Sequence, residues 1–255
     1  MRKGWWSSVW PPAAAVLFFL TVWQAAVSVF DIEPYILPAP TAIGHEAATG
    51  ATGASGLFQH TLATLQLTLV GFMIGTAIGL VISLALHLVP FLKTALYPLL
   101  ILSQNVPTIA LAPLLMIWFG FGMLPKVIVI TLVCFFPVAV AALDGLARTD
   151  RTMMNYMQMA GATSWQIFTK LELPHALPSI FSGIRIAATY SVMGAVIGEW
   201  IGSDRGIGYY MMLQKSGYRT DRVFVAILII VLLSLLMVLL ITLLEKRLIR
   251  WNRKG

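Results

Sequence analysis

Between Glu46 and Lys93 the chain carries no Asp, Glu, Lys or Arg, and similar apolar runs recur along its length. A helix needs about 20 apolar residues to cross a hydrocarbon layer of ~30 Å. Backbone exposed to lipid has no water to bond to, so only helices and closed barrels can occupy such a layer. The runs lack the alternation of barrel strands. They set the fold class as an all-α membrane protein with about six transmembrane helices. Composition agrees, with 59% of the 255 residues hydrophobic and 11% charged. Soluble domains average roughly 45–50% and about 25%. The length suits one compact membrane domain, residues 1–255, without room for a second soluble domain of ordinary size.

The expected spans are 12–30, 62–88, 94–119, 127–143, 176–198 and 223–244. Arg2 and Lys3 precede the first run as in a signal peptide. The run is longer than a signal core of about 7–15 residues and reads as a retained anchor. Lysine and arginine concentrate in cytoplasmic segments of membrane proteins. With the amino terminus inside, the inner segments hold eleven: Arg2, Lys3, Lys93, Arg148, Arg151, Lys170, Lys246, Arg247, Arg250, Arg253 and Lys254. The outer segments hold five: Lys126, Arg205, Lys215, Arg219 and Arg222. The bias places both termini in the cytoplasm and accounts for the net charge of +7 without nucleic acid. Cys134, the one cysteine, excludes an internal disulfide and reads as a small packing residue. The outer loop from Asp31 to His60 reads as a surface connection without chemistry.

Inside the spans, Gly71, Gly75 and Gly79 line one helix face and predict close helix packing. The third span is interrupted by Ser103, Gln104, Asn105, Pro107 and Pro113, which should bend it. Gln104 and Asn105 would either line a translocation pathway or bond to neighbouring helices. Glu199, at the outer end of the fifth span, would contact solute, close an outer gate, or pair with Arg205. Arg185 is expected to snorkel to lipid phosphates. Gly202, Gly206 and Gly208 should break the chain before a short helix at Tyr209–Gln214. No phosphate-binding loop of the Gly-x4-Gly-Lys-Ser/Thr kind occurs. His45, His60, His87 and His175 lack metal-ligand spacing, and no paired carboxylates point to an embedded enzyme.

Residues 148–175 form a long inner loop. A short helix over Arg151–Ala160 would turn at Gly161 into a second helix capped by Thr163 and Gln166. Met153, Met154 and Met157 give the first an apolar face, and Trp165, Phe168 and Leu171 stripe the second. Pro174 is expected to end that helix, and Pro178 to sit in the first turn of the fifth span. Such a knob either packs under its own bundle or docks a soluble partner.

The stretch Gly161-x9-Leu171-Glu172-Leu173-Pro174 resembles the EAA loop of bacterial ABC-importer permeases, Glu-Ala-Ala-x3-Gly-x9-Ile-x-Leu-Pro. Asn155, Tyr156 and Met157 stand where that family has Glu-Ala-Ala. Leu37-Pro38-x-Pro40, Trp118-Phe119-Gly120-Phe121-Gly122 and Gly206-Ile207-Gly208-Tyr209 are similar to nitrate, taurine and sulfonate permeases. Gly198-Glu199-Trp200 looks like permeases for thiamine-pyrimidine precursors or riboflavin. The resemblance implies a type I importer permease in the bacterial inner membrane, moving a small polar solute. Its partners would be a second permease copy, two ATPase subunits and an extracytoplasmic solute-binding protein. ATP and Mg would be bound by the ATPase chain, with no cofactor on this one. Tyr156, Met157, Ala160, Gly161, Ala162, Thr163, Ser164, Trp165, Phe168, Leu173 and Pro174 would couple to the ATPase. The alternative is a secondary transporter, which would need a coupling-ion site and often shows inverted repeats.

Overall fold

The computed structural model describes residues 5–50 and 56–249, with side chains from Trp10 onward and not at Gly50. Eleven α-helices and one π-helical turn (Phe168–Glu172) account for the regular structure among the described residues: α1 (Trp5–Val29), α2 (Pro40–Gly50), α3 (Leu57–Leu88), α4 (Pro90–Ser103), α5 (Thr108–Phe119), α6 (Met123–Ala147), α7 (Arg151–Met159), α8 (Ser164–Ile167), α9 (Leu173–Trp200), α10 (Ile207–Ser216) and α11 (Thr220–Leu248). Among the described residues, five segments are long and apolar enough to cross a membrane: Trp10–Val29, Leu57–Leu88, Met123–Ala147, Ser164–Trp200 and Thr220–Leu248.

The sixth crossing is not the single helix expected over 94–119. Its place is taken by α4 and α5, which meet at 98°. At 1.5 Å per residue they reach only about 21 and 18 Å, so neither spans the bilayer core alone. The break falls at Gln104–Pro107, where Pro107 lacks an N–H and disfavours helix in the residue before it. The pair still carries the chain across the bundle. α3 ends beside residues 168–172, through His87 and Glu172. α6 begins at the opposite end, where Lys126 meets Ser203.

The core is a close-packed trio of α3, α6 and α9, with α11 against α9. Glycine permits the approach. A Cβ at Gly71 would lie 2.5 Å from Ile130, at Gly75 2.6 Å from Cys134, and at Gly79 2.7 Å from the Phe135 carbonyl. Gly183 of α9 meets α6 in the same way, 2.6 Å from Ala141 and from the Pro137 carbonyl. Lipid tails are as apolar as side chains, so helix association here rests on such van der Waals contact. Cys134 is fully buried in this packing and its thiol donates to the Ala187 carbonyl.

α1 is attached at the rim. Its apolar side chains are largely exposed, and it is held through Trp23 against Phe224, Val27, and Gln24 accepting from Thr41. The connection from Asp31 to His60 is more than a surface link. It contains α2, whose Glu46 pairs with Arg222 at 2.8 Å and Arg219 at 3.4 Å beside the start of α11.

The second loop helix also departs from expectation. Pro174 does not end it. α8 passes through a π-helical turn at Phe168–Glu172 directly into α9, with Leu173 N–H donating to the Phe168 carbonyl five residues back. A proline ring would clash with the carbonyl four residues before it, and a widened turn is where that clash is relieved. Pro174 thus occupies the first turn of α9, and Pro178 lies inside the helix.

Gly75→Leu should therefore push α3 off α6, at a cost of about 3 kcal/mol or more. Gly44→Leu, where a Cβ meets nothing within 4 Å, should be tolerated. Thermal unfolding of the two variants in the same detergent checks the difference.

Candidate functional site

Three polar places stand out among the described residues. The first is the loop between α6 and α9. Asp150 caps α7 by accepting from Thr152 N–H at 2.8 Å. At the other end Gly161 takes φ +78°. Gly161 N–H then donates to the Gln158 carbonyl and Ala162 N–H to Met157, the paired bonds of a Schellman cap. Thr163 and Gln166 close a capping box at once, at 3.3 and 2.8 Å. Two rigid helices thus meet at a fixed corner.

One side of this corner is fastened to the bundle. Phe168 is buried with Ala142, Leu146, Ala176 and Ile180. The His87 ring lies near it, and His87 Nε2 meets the Glu172 carboxylate at 2.9 Å. Phe168, expected among the docking residues, is therefore an anchor of the loop. Met157, Ala162, Leu173 and Pro174 are half-buried. The other side is bare: Met153 is 50% exposed, Tyr156 62%, Met159 76% and Trp165 66%. Ala160, Gly161, Thr163 and Ser164 are exposed beside them. Met159 was not among the expected docking residues, although its spacing of three from Tyr156 on a helix marks a shared face.

The second place is the far end of α9. Glu199 is 2% exposed. It accepts from the Thr64 hydroxyl at 2.8 Å and from Gly208 N–H at 2.7 Å. Thr64 Oγ1 in turn accepts from Ile207 N–H, and His60 Nδ1 from Gly206 N–H. The amides of Gly206, Ile207 and Gly208 are all taken by side chains of the bundle, which leaves none for a phosphate. Gly206, at φ +112°, lies so close to Glu199 that a Cβ would come within 2.2 Å of its carboxyl carbon. The expected Glu199–Arg205 pair does not form. Arg205 approaches Asp204 at 4.0 Å on the surface, whereas Lys126 Nζ donates to Ser203. A small cavity of about 140 Å³ opens beside Lys126, Glu199 and Arg205. Thr64, His60 and Lys126 were missed as participants; their only signal was polarity at the ends of uncharged runs.

Arg185 likewise has a partner within the chain. Its guanidinium pairs with Glu245 of α11 and does not reach towards lipid headgroups.

The third place is a cavity of about 650 Å³ at the α4–α5 break, between α5, α6 and α9. Gln104 lines it. Asn105 does not; its side-chain amide donates to the Ile101 carbonyl at 3.3 Å and finishes α4.

Broken span, glycine-packed trio and capped corner together form a recognisable whole. Residues 71–250 match the family described as binding-protein-dependent transport system inner membrane component. The chain belongs to that family. A formylaminopyrimidine transport permease of Halalkalibacterium halodurans is 35% identical, over 95% of this chain and 96% of that one. A riboflavin transport system permease of Chloroflexus aurantiacus is 34% identical, over 96% and 91%. Escherichia coli proteins named as taurine and putative aliphatic sulfonates permeases are 32% and 35% identical. Among solved structures, an amino acid ABC transporter chain superposes with TM-score 0.66 at 18% identity, covering 78% of this chain and 97% of that one. The protein is thus an ABC-importer permease, a multi-pass transport component and not an enzyme.

In this permease Thr64→Val should leave the Glu199 carboxylate short of a donor and Ile207 N–H without an acceptor. A buried polar group so stranded costs about 1–3 kcal/mol. Thr64→Ser should restore most of the stability, as read by thermal unfolding of the purified variants.

Proposed function

We propose that the bare side of the α7–α8 corner seats a separate ATPase subunit. The observation that carries this is the pairing of a fastened back, Phe168 and His87–Glu172, with an exposed front of Met153, Tyr156, Met159 and Trp165. Large apolar side chains held rigidly in water are what a protein partner buries, with aromatic residues as its anchors. A loop packed under its own bundle would hide that front. The ATPase would bind ATP and Mg, and this chain would bind neither.

The rest of the assembly follows from the reading. A second copy of the permease completes the pathway, two ATPase subunits sit beneath it, and a solute-binding protein delivers cargo at the Glu199 end. The loop lies in the cytoplasm with both termini, a reading that the excess of Lys and Arg in those segments supports. The complex resides in the bacterial plasma membrane. Closure of the ATPase pair on ATP would push the corner and, through the unbroken α8–α9 rod, rock the bundle as a rigid body. The cargo is a small polar solute of the thiamine-pyrimidine, sulfonate, taurine or nitrate kind.

Trp165→Asp and Met159→Asp should each weaken capture of the co-encoded ATPase from membranes by about tenfold or more, the loss expected at an interface anchor. Phe168→Asp is unsuited to this purpose because it would unseat the loop itself. Undiminished capture by both variants would move the docking site elsewhere. Met159→Cys on a Cys134→Ala background should react with an impermeant maleimide in inside-out vesicles stripped of the ATPase and not in intact cells.

A further inference from the structure

The cavity at the α4–α5 break has a lining unlike that of an anion site. It is formed by Ser103, Gln104, Thr108, Phe135, Phe136 and Tyr190, together with aliphatic groups, Met193 and two prolines. No Asp, Glu, Lys, Arg or His is among the lining residues. The charges nearest in sequence are spent elsewhere: Arg185 is paired with Glu245, and Lys126 with Ser203 at the end of the bundle. One helix start, that of α5, opens at the cavity; Pro107 at its N-cap removes one of the orphan donors there and leaves the others.

The polar groups that remain are neutral and available. Within the described residues the Gln104 carboxamide and the Thr108 and Tyr190 hydroxyls make no hydrogen bond. Ser103 spends its proton on the Leu100 carbonyl and keeps its oxygen as an acceptor. A carboxamide offers both donors and an acceptor on one planar edge. Phe135, Phe136 and Tyr190 put aromatic rings in the lining, and such rings stack on other flat rings. About 650 Å³ is the size range of a small-molecule site.

We infer that this cavity is a solute site within the permease, and that it takes an uncharged, flat heteroaromatic solute bearing amide-like donors and acceptors rather than a sulfonate or nitrate. The inference rests on the permease reading above and narrows its cargo. A desolvated anion would meet no cation there, only the donors of one proline-capped helix start, and a charge so weakly compensated at membrane depth is heavily penalised. A neutral ring with amino and carbonyl or ring-nitrogen edges meets Gln104 and the hydroxyls at no such cost. The face remains open in the single chain, where Ile186, Tyr190 and Met193 are exposed. Solute can therefore enter and leave without unpacking the trio.

The test is ATP-driven uptake into proteoliposomes by the whole complex, with its ATPase and binding protein. The labelled probes are formylaminopyrimidine, riboflavin and an alkanesulfonate. Uptake of at least one of the flat neutral probes and not of the sulfonate is expected. Gln104→Ala and Tyr190→Phe, both still copurifying with the ATPase, should each lower that uptake by about tenfold, the effect of losing one buried hydrogen bond. Uptake of the sulfonate alone overturns the solute class. Neutral-probe uptake untouched by both substitutions overturns the cavity as the site while the permease reading stands. Absence of ATP-driven uptake for every probe, with an ATPase that does not associate, overturns the permease reading and this inference with it.

Discussion

The approach of α6 to α3 on one side and α9 on the other is the contact on which everything else hangs. Water cannot drive these helices together, because lipid is as good a solvent for leucine as another helix is. What holds them is surface-to-surface contact, and at Gly71, Gly75, Gly79 and Gly183 there is no space for even a methyl group. With that trio fixed, its two ends become fixed points in space. The loop anchors on one, through Phe168 and His87. The Glu199 network closes the other, tying α3, α9 and α10 together. The mobile demands of transport are thereby separated from the static demands of packing.

Polar chemistry is confined to places where the trio leaves space. Glu199 is deeply buried, yet it is consumed by Thr64 and Gly208 and so acts as a fastener. Arg185 and Glu245 fasten α9 to α11 in the same way. By contrast, the cavity at the α4–α5 break keeps the Gln104 amide and the Thr108 and Tyr190 hydroxyls unspent among the described residues. The distinction between a polar group already satisfied and one held open is what separates scaffold from site in a low-dielectric interior.

Much of this was legible in the sequence because lipid imposes a coarse, length-based code. Five of the spans followed from apolar length alone. The corner of the loop followed from local chemistry: Gly161 for the left-handed turn, and Thr163 with Gln166 for the cap. What escaped were relations between distant residues. Nothing near Glu199 names Thr64 as its partner, and nothing near Arg185 names Glu245. Phe168 carries the same hydrophobic character as Trp165, and only packing shows that one faces in and the other out. Asn105 and Gln104 are adjacent amides, but one finishes a helix and the other faces the cavity. Pro174 misled for a subtler reason, because a π turn can absorb a proline that would stop an α-helix.

That π turn is, in effect, one surplus residue spliced into a helix. Each residue of an α-helix rotates the next by about 100°. The surplus therefore sets the compass bearing of Trp165 relative to every side chain of the span that follows. Excising a single residue between Phe168 and Glu172 would swing the exposed front of the loop by roughly a quarter turn while leaving its composition nearly intact. A length change of one in this segment is thus a change of aim, and the loop's chain length carries as much information as its residues.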